Sequence, residues 1–212
     1  MTDPRDDLAR LAPYLQDFAE AALLEGEDTA LLSAICLRET LAGWARGYDR
    51  PGSHLGRGDA GARQWWPTRA AAAPWVKVVG EGKDGRVRVV PIDDRGWGCF
   101  LFQVDWAGAY GHLPRECPEA TPFLQAQWAC QVLQDARRDL AEYKEHPLFQ
   151  VAVVCRYNAS LSRVRDALAV GLHPDTVTTP GPSGIPDYGS DVLHRRDRLR
   201  ATHPETFPPA AG

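Results

Sequence analysis

Several chemical signatures are missing from this chain of 212 residues. It has no CxxC pair and no HExxH, and its six histidines are scattered, so no catalytic metal and no cofactor are expected. The five cysteines (Cys36, Cys99, Cys117, Cys130, Cys155) form an odd set without zinc spacing. Cys36, Cys130 and Cys155 fall inside apolar helical patterns, where a free thiol behaves as a small hydrophobe. Reduced thiols are expected, with at most one incidental disulfide. Positive charge is not in excess: 24 Lys and Arg face 28 Asp and Glu, net −4, with a pI of about 5.9. That argues against a nucleic-acid partner, which calls for a basic face. Basic pieces exist, such as HRRDRLR at 194–200, which reads as the solvated side of a helix.

No window approaches the roughly eighteen apolar residues of a membrane span, so no membrane insertion is expected. The N-terminal MTDPRDDLARLAPYL is acidic and amphipathic. It lacks the basic start and apolar core of a Sec signal peptide. Synthesis in the cytoplasm is expected, with release or delivery by another route if the target lies outside the membrane. There is no internal repeat.

What is present is an ordinary globular balance, 44% apolar and 25% charged. The length suits one well-buried domain over 1–212, and a monomer is expected. Residues 5–24 carry a helical stripe (Leu8, Leu11, Leu15, Phe18, Ala22). Asp28 or Thr29 can cap a second helix over 29–42, ended by Gly43 or Gly47. That helix is apolar nearly all round and belongs at the centre of a domain. Residues 46–74, rich in Gly, Pro, Arg and Ala, read as an irregular excursion. WVKVV (75–79) and RVRVV (86–90) read as a β-hairpin. Residues 91–98 read as a loop, and the segment after it fits strand or helix.

Thr121 caps a long helical pattern to Lys144, with Pro122 at its first position. Further helices are expected over 147–158, over 161–170 behind Ser160, and over 188–201, and residues 173–187 read as a loop. The tail from His203 is expected to be loose. The fold class is therefore mainly α with a small β element.

One residue breaks the pattern. Leu32, Ile35, Cys36, Glu39, Ala42 and Gly43 share a helical face, so Glu39 takes a place suited to an apolar side chain. Apolar surroundings and the negative end of the helix dipole both raise a carboxyl pKa. A carboxylic acid kept partly protonated near neutral pH suits a general acid. The alternative is a salt bridge to Arg38, Arg46 or another arginine. Asp93 and Asp94 fit turn positions in DDRGWG, and Asp105 fits a helix cap before WAGAYG. Trp44, beside the central helix, reads as core. Trp65–Trp66 reads as a cleft wall or a patch over the hairpin. Tyr157, at the end of an apolar helix, reads as a core hydroxyl bonded to backbone.

ICLRETLAG, DDRGWGCFLFQVD, VCRYNASLSRV and PDYGSDVL, in that order, resemble the motifs of goose-type lysozymes, within the lysozyme-like group that includes soluble lytic transglycosylases. The resemblance implies a helical fold with a small β element flanking a saccharide cleft, interrupted here by a hairpin-bearing insertion at about 46–91. It implies peptidoglycan glycan strands as substrate, cut between N-acetylmuramic acid and N-acetylglucosamine. By position, Glu39 matches the family's catalytic acid, Asp94 the aspartate of its D-R-G motif, and Asp105 the aspartate ending its G-L-M-Q-V-D motif. Gln103 matches that motif's glutamine. Tyr157 and Asn158 match its A-Y-N motif, and Tyr188 the tyrosine of its later D-Y motif. Trp97, between Gly96 and Gly98, is placed in the cleft.

The chain departs from the family where Phe100 replaces a glycine and Phe102 a methionine, and in Arg156 and Ser160 around the A-Y-N motif. The implied chemistry is protonation of the leaving oxygen by Glu39, with Asp94 and Asp105 positioning or activating water for inverting hydrolysis. Such a muramidase would be a phage endolysin or a delivered antibacterial effector. The alternatives are a lytic transglycosylase using Glu39 alone, and a lysozyme-like module that binds glycan without cutting it.

Overall fold

The computed structural model describes residues 4–44, 54, 65–66, 76–85, 87–91, 98–105, 120–180 and 184–208. It is mainly helical. The helices are α1 (Pro4–Leu11), α2 (Leu15–Glu25), α3 (Thr29–Thr40), α4 (Pro122–Asp139), α5 (Phe149–Asn158), α6 (Leu161–Ala169) and α7 (Tyr188–Thr202).

The N-terminal stripe predicts one helix, and the structure has two. A 3-10 turn at Ala12–Tyr14 separates α1 from α2. Pro13 explains it: proline has no N–H to donate and its ring crowds the carbonyl four residues back. Gly26, at φ 68°, ends α2, a left-handed conformation that glycine adopts without a Cβ clash. Asp28 then caps α3, its carboxylate accepting the N–H of Ala30 at 2.9 Å. Thr121 caps α4 by accepting the N–H of Leu124, with Pro122 at the first position. The pattern expected to run to Lys144 stops at Asp139 and tightens into a 3-10 turn at Ala141–Tyr143. Ser160 sits at the N-cap of α6 but makes no side-chain cap bond.

The predicted hairpin forms. β2 (Val76–Glu81) pairs antiparallel with β3 (Val87–Pro91), with an irregularity between Val78 and Gly80. Trp65–Trp66, β1, adds a third strand on the other side of β3, Trp65 opposite Arg88 and Trp66 opposite Val87. The segment after residue 98, open between strand and helix in the sequence, is a short strand pair: β4 (Gly98–Cys99) against β5 (Val104–Asp105).

The core gathers around α3. Every residue from Ala30 to Leu37 is buried, as an all-round apolar helix requires. α2, α4 and α7 pack on it. One hydrophobic cluster takes in Phe18, Leu32, Phe102, Leu133, Val154 and Leu199. Two expectations are corrected here. Phe207 is 1% exposed and belongs to the core cluster, so the tail is packed at least that far. The basic run 194–200 is a solvated face only in part, with His194 and Asp197 exposed. Arg195 bonds Asp191, Arg196 bonds Asp197, Arg198 reaches the fully buried Asp7 on α1, and Arg200 reaches Asp28. Arg198 and Arg200 fasten α7 to α1 and to the cap of α3, which a local pattern of charge does not reveal, while the other two pairs lie within α7.

Cys36, Cys130 and Cys155 are free and buried. Burial pushes the thiols of Cys36 and Cys130 up to about 12. Burial, then the nearby Asp175 carboxylate, raises that of Cys155. An unfolded chain would ionise these thiols at lower pH, so folding stability falls as pH rises past the ordinary thiol range. Iodoacetamide at pH 8 is expected to leave all three unmodified in the native protein and to label them after denaturation, as read by peptide mass mapping. Rapid native labelling of Cys36 would contradict the packing of α3.

Candidate active site around Glu39

Glu39 lies one residue from the end of α3 and is half-buried. The sequence predicts that a glycine ends this helix. The helix instead ends at Thr40, and three successive residues take left-handed backbone: Leu41 (φ 50°), Ala42 (φ 54°) and Gly43 (φ 79°). For Leu41 and Ala42 this conformation costs roughly 1–2 kcal/mol each, so the surroundings must hold it. Thr40 does much of this. Its hydroxyl donates to Cys36 O and to Leu101 O (2.9 Å) and accepts the N–H of Gly43. The end of α3 is thereby tied to the turn between β4 and β5.

That turn is anchored from the other side by Gln125 of α4, which is 1% exposed. Its Oε1 accepts the N–H of Leu101 (3.1 Å), and its Nε2 donates to the carbonyls of Ala120 and His54. Phe100 and Gln103 flank the turn, both at positive φ (65° and 49°). Phe100, where the resembled family has glycine, is buried and faces Trp128 with ring centroids 6.1 Å apart. Its bulk is taken up by the core. Gln103 turns its amide back onto Phe100 O at 2.7 Å.

One partner of Glu39 comes from the far end of the chain. Tyr188, the first residue of α7, donates its hydroxyl to Glu39 Oε1. Tyr188 is 2% exposed. Burial, then the charge of Glu39, holds its hydroxyl well above the usual tyrosine range, so it keeps its proton and acts as donor. Arg38, a candidate partner for Glu39 by sequence, is engaged elsewhere. Its guanidinium bonds Asp187 (2.9 Å) and Asp191 (2.8 Å) and lies 5.5 Å from the centre of the Tyr188 ring. Burial alone would raise the Asp191 carboxyl, but Arg195 and Arg38 together outweigh it and hold it below the usual range. Arg38 thus clamps α7 to α3 beside the Glu39–Tyr188 contact.

Tyr157, near the end of α5, donates to the backbone carbonyl of Phe102 at 2.8 Å. This is the core-hydroxyl role read from its sequence position. Asn158 points to another segment: its Oδ1 accepts the N–H of Thr179 (2.7 Å). Asp94 and Trp97 lie outside the described residues. The backbone of Asp105 is described, at the end of β5 opposite Gly98; the residues that follow it, where a helix is expected, lie outside the described residues. Trp44, expected in the core, is 52% exposed just past the left-handed turn.

The residues that sequence reasoning missed are Thr40, Gln125 and Asp175. The last accepts the N–H groups of Gly189 and Ser190 at the start of α7. Polar residues at otherwise apolar positions were the available signal for the first two. Among the described residues no group of three or more His, Cys, Asp or Glu stands ready to hold a metal ion, and no helix is long and apolar enough to cross a membrane. A cavity of about 790 Å³ opens where α2 meets α3, lined in part by Leu23, Glu27, Arg137, Arg200 and Phe207. Neither Glu39 nor either tyrosine borders it, and Arg137 and Arg200 are bonded to Glu27 and Asp28. No family model matches the chain, and no curated protein matches it in sequence.

The contact between α7 and α5 leaves no room at Gly189. A Cβ there would stand 2.6 Å from Cys155 Sγ and 2.9 Å from Val151 O. Gly189→Ala is expected to destabilise the protein by about 1–3 kcal/mol. In a chain of this size that is roughly 2–4 °C of melting temperature per kcal/mol. An unchanged melting temperature would show that the two helices are not packed this tightly.

Proposed function

We propose that the protein is a peptidoglycan-cleaving muramidase of lysozyme-like fold, with Glu39 as its general acid. The observation that carries the reading is the meeting of residues from two separate motifs. Glu39 (from α3) receives the hydroxyl of Tyr188 (from α7). Both belong to the four motifs that resemble goose-type lysozymes, and they lie far apart in the chain. A half-buried carboxyl at a helix terminus, oriented by a protonated phenol, suits delivery of a proton to a glycosidic oxygen as an oxocarbenium-like centre develops.

In this reading Asp94 and Asp105 position or activate the attacking water, with acid and base about 6.5–9.5 Å apart as in inverting enzymes. Gln103, Asn158 and Trp97 contact the glycan. Phe100 supports cutting over mere binding, because its ring is packed on Trp128. The enzyme reaches the wall after release or delivery.

Purified peptidoglycan sacculi are expected to lose turbidity with the wild-type protein. Glu39→Gln should lower the rate at least about 100-fold, the usual minimum contribution of a general acid. Retained activity in that variant would remove Glu39 from the role. Mass spectrometry of the released muropeptides reads the chemistry. Hydrolysis gives free reducing ends, whereas products lighter by one water would replace the muramidase reading with a lytic transglycosylase.

A further inference from the structure

We infer that Asp175 is a positioning residue for this site: it fixes the first turn of α7 so that the Tyr188 hydroxyl meets Glu39. The inference rests on the reading of Glu39 as the acid.

α7 lacks a cap of its own. Asp187 occupies the N-cap position, makes no cap bond, and gives its carboxylate to Arg38 instead. Helix N-termini leave N–H groups without intrahelical partners and favour negative charge. Asp175 supplies both needs from another segment, the 3-10 turn Pro174–Val177. Its carboxylate is 5% exposed. Oδ1 accepts the N–H of Gly189 at 2.6 Å, and Oδ2 accepts the N–H of Ser190 at 3.2 Å and its hydroxyl. The Cys155 thiol donates to Oδ1 at 3.2 Å. These donors belong to the two residues that directly follow Tyr188, and to α5, on which that turn packs. The Asp175 backbone is itself held: its N–H reaches His173 Nδ1, and its carbonyl accepts the hydroxyl of Thr178 at 2.8 Å.

The lack of a Cβ at Gly189 lets this backbone come so close. Tyr188 is therefore gripped from two sides, by Arg38 on α3 and by Asp175 beneath the helix start. A shift of the first turn of α7 carries the phenol away from Glu39 without altering either side chain. The ionisable groups around the contact are Arg38, Cys36, Tyr157, Asp187 and Asp191, with His173 and Cys155 beside Asp175.

The test compares wild type, Asp175→Asn, Ser190→Ala, Tyr188→Phe and the Asp175→Asn/Tyr188→Phe double variant in the full chain. Two readouts are taken: kcat and KM on peptidoglycan, and the titration of the Glu39 carboxyl carbon by NMR without substrate. Asp175→Asn keeps one oxygen acceptor and the same shape, and Ser190→Ala removes a single bond, so at least one folded variant is available. Asp175→Asn is expected to lower kcat about 10- to 100-fold, the scale of a misplaced catalytic group, with KM nearly unchanged. It should move the Glu39 titration in the same direction as Tyr188→Phe. The double variant should be no slower than Tyr188→Phe alone beyond about twofold, because both changes act through one contact. Multiplying effects, or a Glu39 titration untouched by both Asp175→Asn and Ser190→Ala, would overturn the inference. The titration needs no glycan, so a protein inactive on peptidoglycan would sink the proposed function while the Asp175–Tyr188–Glu39 linkage is still read directly.

Discussion

Much of this structure follows from one helix with no polar side. Because α3 is buried from Ala30 to Leu37, other elements must surround it, and its end must fall within the core rather than in water. Glu39 arrives at that end by register alone. A carboxylate there needs a partner at close range, and the first turn of α7 provides one in Tyr188. The Arg38 clamp and the Thr40 bonds to the β4–β5 turn can be understood as what keeps that junction from loosening.

The junction is built mostly from contacts between segments distant in sequence. Thr40 binds Leu101, Gln125 binds Leu101, Tyr157 binds Phe102, and Tyr188 binds Glu39. Each spans more than a helix length of chain, and each satisfies a buried polar group that would otherwise cost about 1–3 kcal/mol. Left-handed backbone at Leu41, Ala42, Phe100 and Gln103 gathers at the same junction. Strain of this kind persists where neighbouring structure over-determines it, and functional sites are a common setting.

How much of this the sequence reveals depends on the range of the interaction. Local signals read well: the Asp28 and Thr121 caps, the hairpin, the burial of α3 and the apolar setting of Cys36, Cys130 and Cys155. Pro13 is also a local signal, one that the apolar stripe over residues 5–24 masks. What the pattern could not give were pairings across the chain. The arginines of 194–200 look like a wet surface until Asp7 and Asp28 are brought to them. Asp175 looks like a loop residue until α7 starts above it. Trp44 looked like core because it adjoins a core helix, and the left-handed turn turns it outward. For the site, motif order pointed to Glu39 and Tyr188, while the positions of Asp94 and Trp97 are outside the described residues.

Burial of Phe207 together with α7 has a consequence for biosynthesis. The ribosome completes the apolar helix Thr29–Thr40 early, whereas its covering helix and the phenylalanine that seals the core emerge more than a hundred and forty residues later. Throughout that interval this helix can be covered only by elements already made, first α2 and later α4. The side that α7 will cover stays open longest, and transiently exposed apolar surface of this kind favours aggregation.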